Sequence, residues 1–340
     1  MRSGNATNTL TIDRIGTYYH FYINGEWQDS FEFEPFFGNR IGFVIWRNQF
    51  IKIDELVVKQ EGFESSSILN QARDLLAFVT VEEPDYMSTY QYLADSYWER
   101  AEESQVDSNH VETINLYQRS AKAEVLSESP RLPYIADALA RAAKSMNKLG
   151  KETDEWSYYL SAQDYWEVVL EIDETLGDHE HVVTDLINIG VTYNNINEYD
   201  TAIKYYKRAL AKAEEINDDL GIFEVYDHIG WTFENASKFE DAIASYQEAV
   251  DYAESIDNIE EMMLFWELIA TVYDLCTFET EKAILYYEKA VTAADQLGNI
   301  DDKQRYLYYI GDSYYLLGEE EIAEKYWNEA DKISLDEGDK

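Results

Sequence analysis

The spacing of apolar residues changes once along the chain, near Gly62. Before that point it has period two, the pattern of half-buried strands. Leu10 and Ile12 alternate with Thr11 and Asp13, and Tyr19, Phe21 and Ile23 alternate with Tyr18, His20 and Tyr22. Asn24-Gly25 then supplies a tight hairpin signal. Ile41–Arg47 and Phe50–Lys59, joined by Asn48-Gln49 after the Gly38-Asn39 turn, read as a second strand pair. The segment is expected to be antiparallel β, with four or five strands. After Gly62 the period is helical. Ser65–Ser67 can cap a helix running to about Thr80, and Glu83-Pro84 is expected to start the next. Helices of roughly 14–20 residues separated by short turns then continue to the C-terminus.

Four C-terminal segments are self-similar. INIGVTYNNINEYDTAIKYYKRAL carries Gly190, Tyr193, Ala202, Tyr206 and Ala209. DHIGWTFENASKFEDAIASYQEAV carries Gly230, Phe233, Ala242, Tyr246 and Ala249. The third has Ala270, Tyr273, Ala283, Tyr287 and Ala290, and the fourth Gly311, Tyr314, Ala323, Trp327 and Ala330. The repeat lengths are 40, 40 and 41 residues, and the extra residue is assigned to the turn of the third unit. A small residue suits a close crossing of two helices, and the alanines let the second helix approach. Aromatics four positions later are expected to fill the gap between neighbouring hairpins. One such unit cannot bury its apolar face alone, so stacking must supply the core.

This order of small residue, aromatic, alanine, aromatic and alanine resembles the tetratricopeptide repeat family. The usual unit of that family is shorter, and the extra length here implies longer helices. Two looser units lie upstream: Tyr90–Trp98 with Val111–Ala121 across an acidic turn, Glu102–Asn109, and Ala136–Lys148 with Trp156–Val169, extended to about Leu176. The expected fold is therefore mostly α, a right-handed α-α superhelix of about six helical hairpins behind a short antiparallel β segment. The division is 1–62 for the β segment, 63–82 for a linker helix, 83–337 for the array and 338–340 for a polar tail.

The β segment has a resemblance of its own. Tyr19–Gly25, Phe36–Phe43 and Ile51–Val58 are similar to the final strands of a concanavalin-like lectin or laminin-G jelly roll. That fold needs about a dozen strands, and a piece of this size buries little surface and leaves open edges. Three completions stay open: a longer chain upstream, packing on the first repeat helices, or pairing with a second chain.

Charge narrows the partners. The chain has 27 Lys+Arg against 68 Asp+Glu, a net charge of −41. Residues 1–62 hold 6 and 8 of these, a net of −2, which leaves −39 for the remainder. Such a surface repels phosphate backbones and anionic membranes and attracts basic partners, unless it serves only solubility. No run approaches a membrane span, and the first residues do not read as a signal peptide. Cys276 is the single cysteine, so no internal disulfide or thiolate cage can form. With no leader, this fits a cytoplasmic location.

No catalytic constellation, cofactor motif or metal site emerges. Asp54 and Glu55 are adjacent, so they point to opposite strand faces rather than forming a glycosidase pair. His179 and His181, flanked by Asp178 and Glu180, read as a solvated interhelix loop. Asn5-Ala6-Thr7 and Asn235-Ala236-Ser237 match glycosylation acceptors by short pattern only. The family resemblance instead implies that ligands meet the first helix of each hairpin. Facing the groove in that register are Ile187, Val191 and Asn194; Glu224, Asp227, Trp231 and Glu234; Leu264, Glu267, Thr271 and Asp274; and Arg305, Tyr308, Asp312 and Tyr315. Six carboxylates thus face one Arg, an arrangement suited to a basic segment with an apolar anchor. The expected function is a noncatalytic protein–protein scaffold. Alternatives are glycan recognition by the β segment, with Trp27 and Trp46 as candidate stacking residues, and an enzyme whose catalytic part precedes residue 1.

Overall fold

A computed structural model describes residues 10–15, 18–23, 26–32, 68–84 and 89–338. The chain divides into two units, Met1–Gly62 and Phe63–Lys340. In the first, β1 (Leu10–Ile15), β2 (Tyr18–Ile23) and β3 (Glu26–Glu32) pair antiparallel in chain order, with a register irregularity at Phe21/Tyr22. The strands expected at 41–47 and 50–59, and the Asn24-Gly25 turn, lie outside the described residues.

The second unit opens with α1 (Ile68–Leu75), which stops short of the expected Thr80. Beyond Leu76 come Val79, Thr80 and Val81, whose branched side chains disfavour helix. Rather than only linking, α1 buries Ala72 and donates a hydrogen bond from Gln71 to Glu171 at 2.8 Å. The next helix does not start at Glu83-Pro84. Thr89 caps it, accepting from the Tyr92 amide, and α2 runs Tyr90–Val106.

From α2 onward the chain forms six hairpins. They are α2 with α3 (His110–Leu126), α4 (Leu132–Thr153) with α5 (Trp156–Leu176), and α6 (His179–Asn195) with α7 (Tyr199–Ile216). Then follow α8 (Asp219–Asn235) with α9 (Phe239–Ser255), α10 (Ile259–Thr271) with α11 (Thr280–Leu297), and α12 (Ile300–Leu316) with α13 (Glu320–Gly338). The acidic turn expected over Glu102–Asn109 is mostly helix, because Glu102 is held by the Tyr117 hydroxyl at 2.5 Å and by Arg141 at 2.8 Å. His179 and His181 likewise sit in the first turn of α6, where Asp178 caps the helix and pairs with the His181 ring at 2.8 Å.

The connections are as regular as the helices. Gly177, Asn217, Asp257 and Gly298 have positive φ and are followed by Asp178, Asp218, Asn258 and Asn299. Each of those four side chains caps a first helix by accepting an amide hydrogen bond. The return turns place Asn197, Ser237, Phe278 and Gly318 in the same left-handed conformation. The turn of the fifth hairpin is therefore no longer than its neighbours. Its extra residue is absorbed in α10, which ends in a π-helical turn over Val272–Cys276.

The small residues and aromatics meet within each hairpin. A Cβ on Gly190, Gly230 or Gly311 would come closer than 3.0 Å to the ring of Tyr206, Tyr246 or Trp327 respectively. The expectation that these aromatics fill only the space between hairpins is thus half of the picture. Each tyrosine ring is also in reach of the next first helix: Tyr206 stacks on His228 at 5.5 Å, Tyr246 meets Phe265 at 6.1 Å and Tyr287 meets Tyr309 at 5.3 Å.

One polar pair interrupts the core. Asp173 on α5 and Asp185 on α6 are both buried, and their carboxyls act on each other. Burial, then the Asp173 charge, pushes the Asp185 carboxyl up to about 9, with Lys144 pulling the other way. His181, Asp178 and Asp137 also act on Asp173.

Gly230→Ala should destabilise the array by about 1–3 kcal/mol through overpacking, read by urea unfolding; an unchanged midpoint would show that Tyr246 moves aside. The carboxyl pair sets a pH slope. A folded-state value raised above 3.8 means that the folded protein binds more protons, so stability is highest in acid and falls as pH rises toward about 9. Asp185→Asn should flatten that slope and raise the melting temperature at neutral pH, as checked by thermal denaturation across the range.

Candidate functional site

Successive first helices lie side by side, which makes a continuous face of them. The Asn147 side chain of α4 donates to Thr192 of α6 at 3.0 Å, Asn235 of α8 donates to Asn194 of α6 at 3.3 Å, and Arg305 of α12 donates to Glu267 of α10 at 2.8 Å. The Asx caps fix where α6, α8, α10 and α12 start, and the spacing of 40 or 41 residues brings equivalent positions into line.

The expected groove residues divide into two groups. On α6 the surface is closed: Ile187 is in the core and Asn194 is 3% exposed, because neighbouring helices cover it. Several others are occupied within the array. Glu234 accepts from the Tyr246 hydroxyl at 2.6 Å, and Glu267 accepts from both Arg305 and the Tyr306 hydroxyl at 2.8 Å. Arg305 also holds Asp302 at 2.8 Å, so the one groove cation is already neutralised. Asp312 accepts from the Trp327 indole at 3.0 Å, the Tyr308 hydroxyl donates to Asp331, and the Thr271 hydroxyl donates to its own helix.

What faces outward is more compact. Asp227 is exposed, and no hydrogen bond or ion pair engages it among the described residues. Trp231, one turn along α8, is 39% exposed, with Glu224 a turn before Asp227, and Leu264 and Tyr315 show apolar surface on α10 and α12. Asp274 lies in the π-helical turn, and its Oδ1 is covered with no hydrogen-bond partner.

These carboxyls repel one another. Burial, then Glu224 against the larger pull of His228, raises Asp227; burial, then Asp227 against the Tyr246 hydrogen bond, raises Glu234; burial and then Asp312 raise Asp274. Burial, Glu260 and Asp227 likewise raise Glu261 of α10, which the sequence reading left out of the face. Glu224 is the exception, lowered by His228 and by the more distant charge of Lys144. His228 was recoverable from sequence as the residue four positions after Glu224; Lys144, two hairpins upstream, was not. The result is a negatively charged, partly desolvated face on which Asp227 and Asp274 have no ion-pair partner among the described residues, beside an exposed indole.

Among the described residues no three His, Cys, Asp or Glu side chains are grouped to hold a metal ion, and no helix is long and apolar enough to cross a membrane. Residues 186–255, which span most of the third and fourth hairpins, match the tetratricopeptide repeat family model. Those two hairpins are similar to tetratricopeptide repeats, and further helical hairpins follow on either side. Comparison with curated proteins returns no match. Among solved structures, the chain is similar to BtubC (BKLC) from P. vanneervenii, at 16% identity and a TM-score of 0.49, over 74% of this chain and 93% of that one. It is also similar to aspartyl phosphate phosphatase F from Bacillus subtilis, at 15% identity and a TM-score of 0.45, over 71% of this chain and 59% of that one. A Rap protein complexed with Competence and Sporulation Factor is 14% identical, with a TM-score of 0.44, over 77% and 79% of the two chains. None of these matches supports the lectin-like resemblance of the β segment.

If the Arg305 pairing is a surface contact, Arg305→Ala should cost only about 0.5 kcal/mol. The same substitution should strengthen binding of a lysine-rich peptide by exposing Glu267, as measured by fluorescence anisotropy.

Proposed function

We propose that the helical unit is a noncatalytic interaction scaffold that captures a basic peptide or protein segment on the first-helix face of hairpins four to six. The observation that carries this reading is the pair of uncompensated carboxylates, Asp227 and Asp274, on a face that also exposes Trp231. A partly desolvated carboxylate without a cation gains more from an incoming ammonium or guanidinium than a fully hydrated one does. Trp231 offers a ring face for the same cation or for its aliphatic stem. The net charge of −41 supports the reading by steering basic partners toward the array.

The groove is narrower than the sequence suggests. Asn194 is covered, and Glu234, Glu267, Arg305, Tyr308 and Asp312 already have partners within the array. Glu224, Asp227 and Asp274 therefore carry the recognition of charge, with Trp231, Leu264 and Tyr315 as the apolar surface beside them.

The test is titration of a fluorescent peptide rich in Lys and Arg at low and high salt. Wild type should bind at low salt and lose most of its affinity at high salt. Reversing Glu224, Asp227 and Asp274 to Lys should weaken binding by at least about tenfold, with the helical circular dichroism signal retained. Equal binding by the folded variant would remove this face from consideration.

A further inference from the structure

The return turn of the fifth hairpin breaks the pattern of its neighbours in three ways at once. First, the return-turn position with positive φ is Ser108, Asp154, Asn197, Ser237 and Gly318 in the other hairpins, but Phe278 here, at φ 58°. Asn and Gly enter the left-handed region readily, whereas a bulky side chain there strains the backbone. Second, Phe278 gains no burial in return, since it is 80% exposed. Third, the π-helical turn just before it adds a residue to α10, and Leu275 in that turn is 66% exposed. The equivalent end of α12 in the next hairpin shows Tyr315 at 54% and Leu316 at 71% exposure. Arg305 of α12 donates to Glu267 of α10, and Asp312 acts on Asp274, so the two helices run alongside each other toward these ends.

This apolar strip has an acidic border. Asp312 is near enough to raise the Asp274 carboxyl, and Glu319, Glu320 and Glu321 follow Leu316 after Leu317 and Gly318. We infer that Leu275, Phe278 and Leu316 form a docking strip for the apolar anchor of a partner segment, an aliphatic or aromatic side chain flanked by Lys or Arg. The inference rests on the groove reading above and adds to it the place where the hydrophobic part of the same ligand binds. Charge complementarity selects the occupant. A second copy of this chain would bring its own acidic border against this one, while a basic-flanked anchor satisfies both the apolar strip and its rim. The strained Phe278 fits such a role, because strain kept without burial is explained by what binds there.

Two fluorescent peptides of equal positive charge test it, one made of Lys, Arg and Ser and the other with an Ile-Leu-Phe cluster at its centre. Wild type should bind the anchored peptide at least about tenfold more tightly. Phe278→Asn installs the residue type that Asn197 already provides at this turn, so thermal stability should hold or rise. Its affinity for the anchored peptide should fall toward that for the plain one, with plain-peptide binding unchanged. Leu275→Ser should act in the same direction. Equal binding of both peptides by wild type, or an anchor advantage that survives both substitutions, overturns the inference and leaves the acidic groove standing. Failure of both peptides to bind wild type at low salt would instead overturn the groove reading, and the strip with it. Concentration-dependent self-association that disappears in Phe278→Asn would assign the strip to a second copy, against this proposal.

Discussion

The helical unit depends on the fit of one aromatic ring against one missing side chain. Tyr206 on Gly190 and Tyr246 on Gly230 let two helices cross closely enough to bury the alanines on both sides. The same rings reach the following hairpin at His228 and Phe265, so a single side chain sets the crossing within a hairpin and the distance to the next. A methyl group on the glycine would therefore disturb two interfaces. Because each hairpin contacts mainly its neighbours, the array is a chain of such joints.

The joints also determine what the exposed face can be. At the Tyr246 joint the hydroxyl emerges near the first-helix face and takes Glu234 as partner, and Tyr306 of α12 takes Glu267 in the same way. Packing thus consumes part of the acidity that the sequence places there. The remaining charge is concentrated on Glu224, Asp227 and Asp274, and the field that raises Asp227 and Asp274 comes from close carboxyl neighbours as well as from burial. The other carboxylates contribute to folding.

The repeats were legible because their signal is steric and periodic. Glycine or alanine, aromatic and alanine recur at fixed spacing, and only a close crossing of helices explains that combination. The ends of elements were harder to read. Pro84 looked like a helix start, but Thr89 holds the capping hydrogen bond, and Glu102 looked like a turn residue until Tyr117 and Arg141 drew it into α2. Partners distant in sequence decided those cases. The groove register was legible as a list of positions, whereas its division into engaged and open residues was not. Nothing local to Glu267 shows that Arg305 will reach it across 38 residues. The covering of Asn194 likewise depends on helices packed against it.

The π-helical turn at Val272–Cys276 has one further consequence. A groove of identical repeats presents the same lattice of contacts at every step, so a ligand with a matching period can bind in several equivalent frames. A π-helical turn takes one more residue than an α-helical one, so the insertion shifts the side chains within that turn, while the return turn after it keeps the left-handed position of its neighbours. The fifth hairpin therefore presents its side chains out of phase with the fourth and sixth over its final turn. A ligand lying across all three meets a sequence of positions that does not repeat, and shifting it by one hairpin no longer superimposes its contacts. The insertion breaks the translational symmetry of the array.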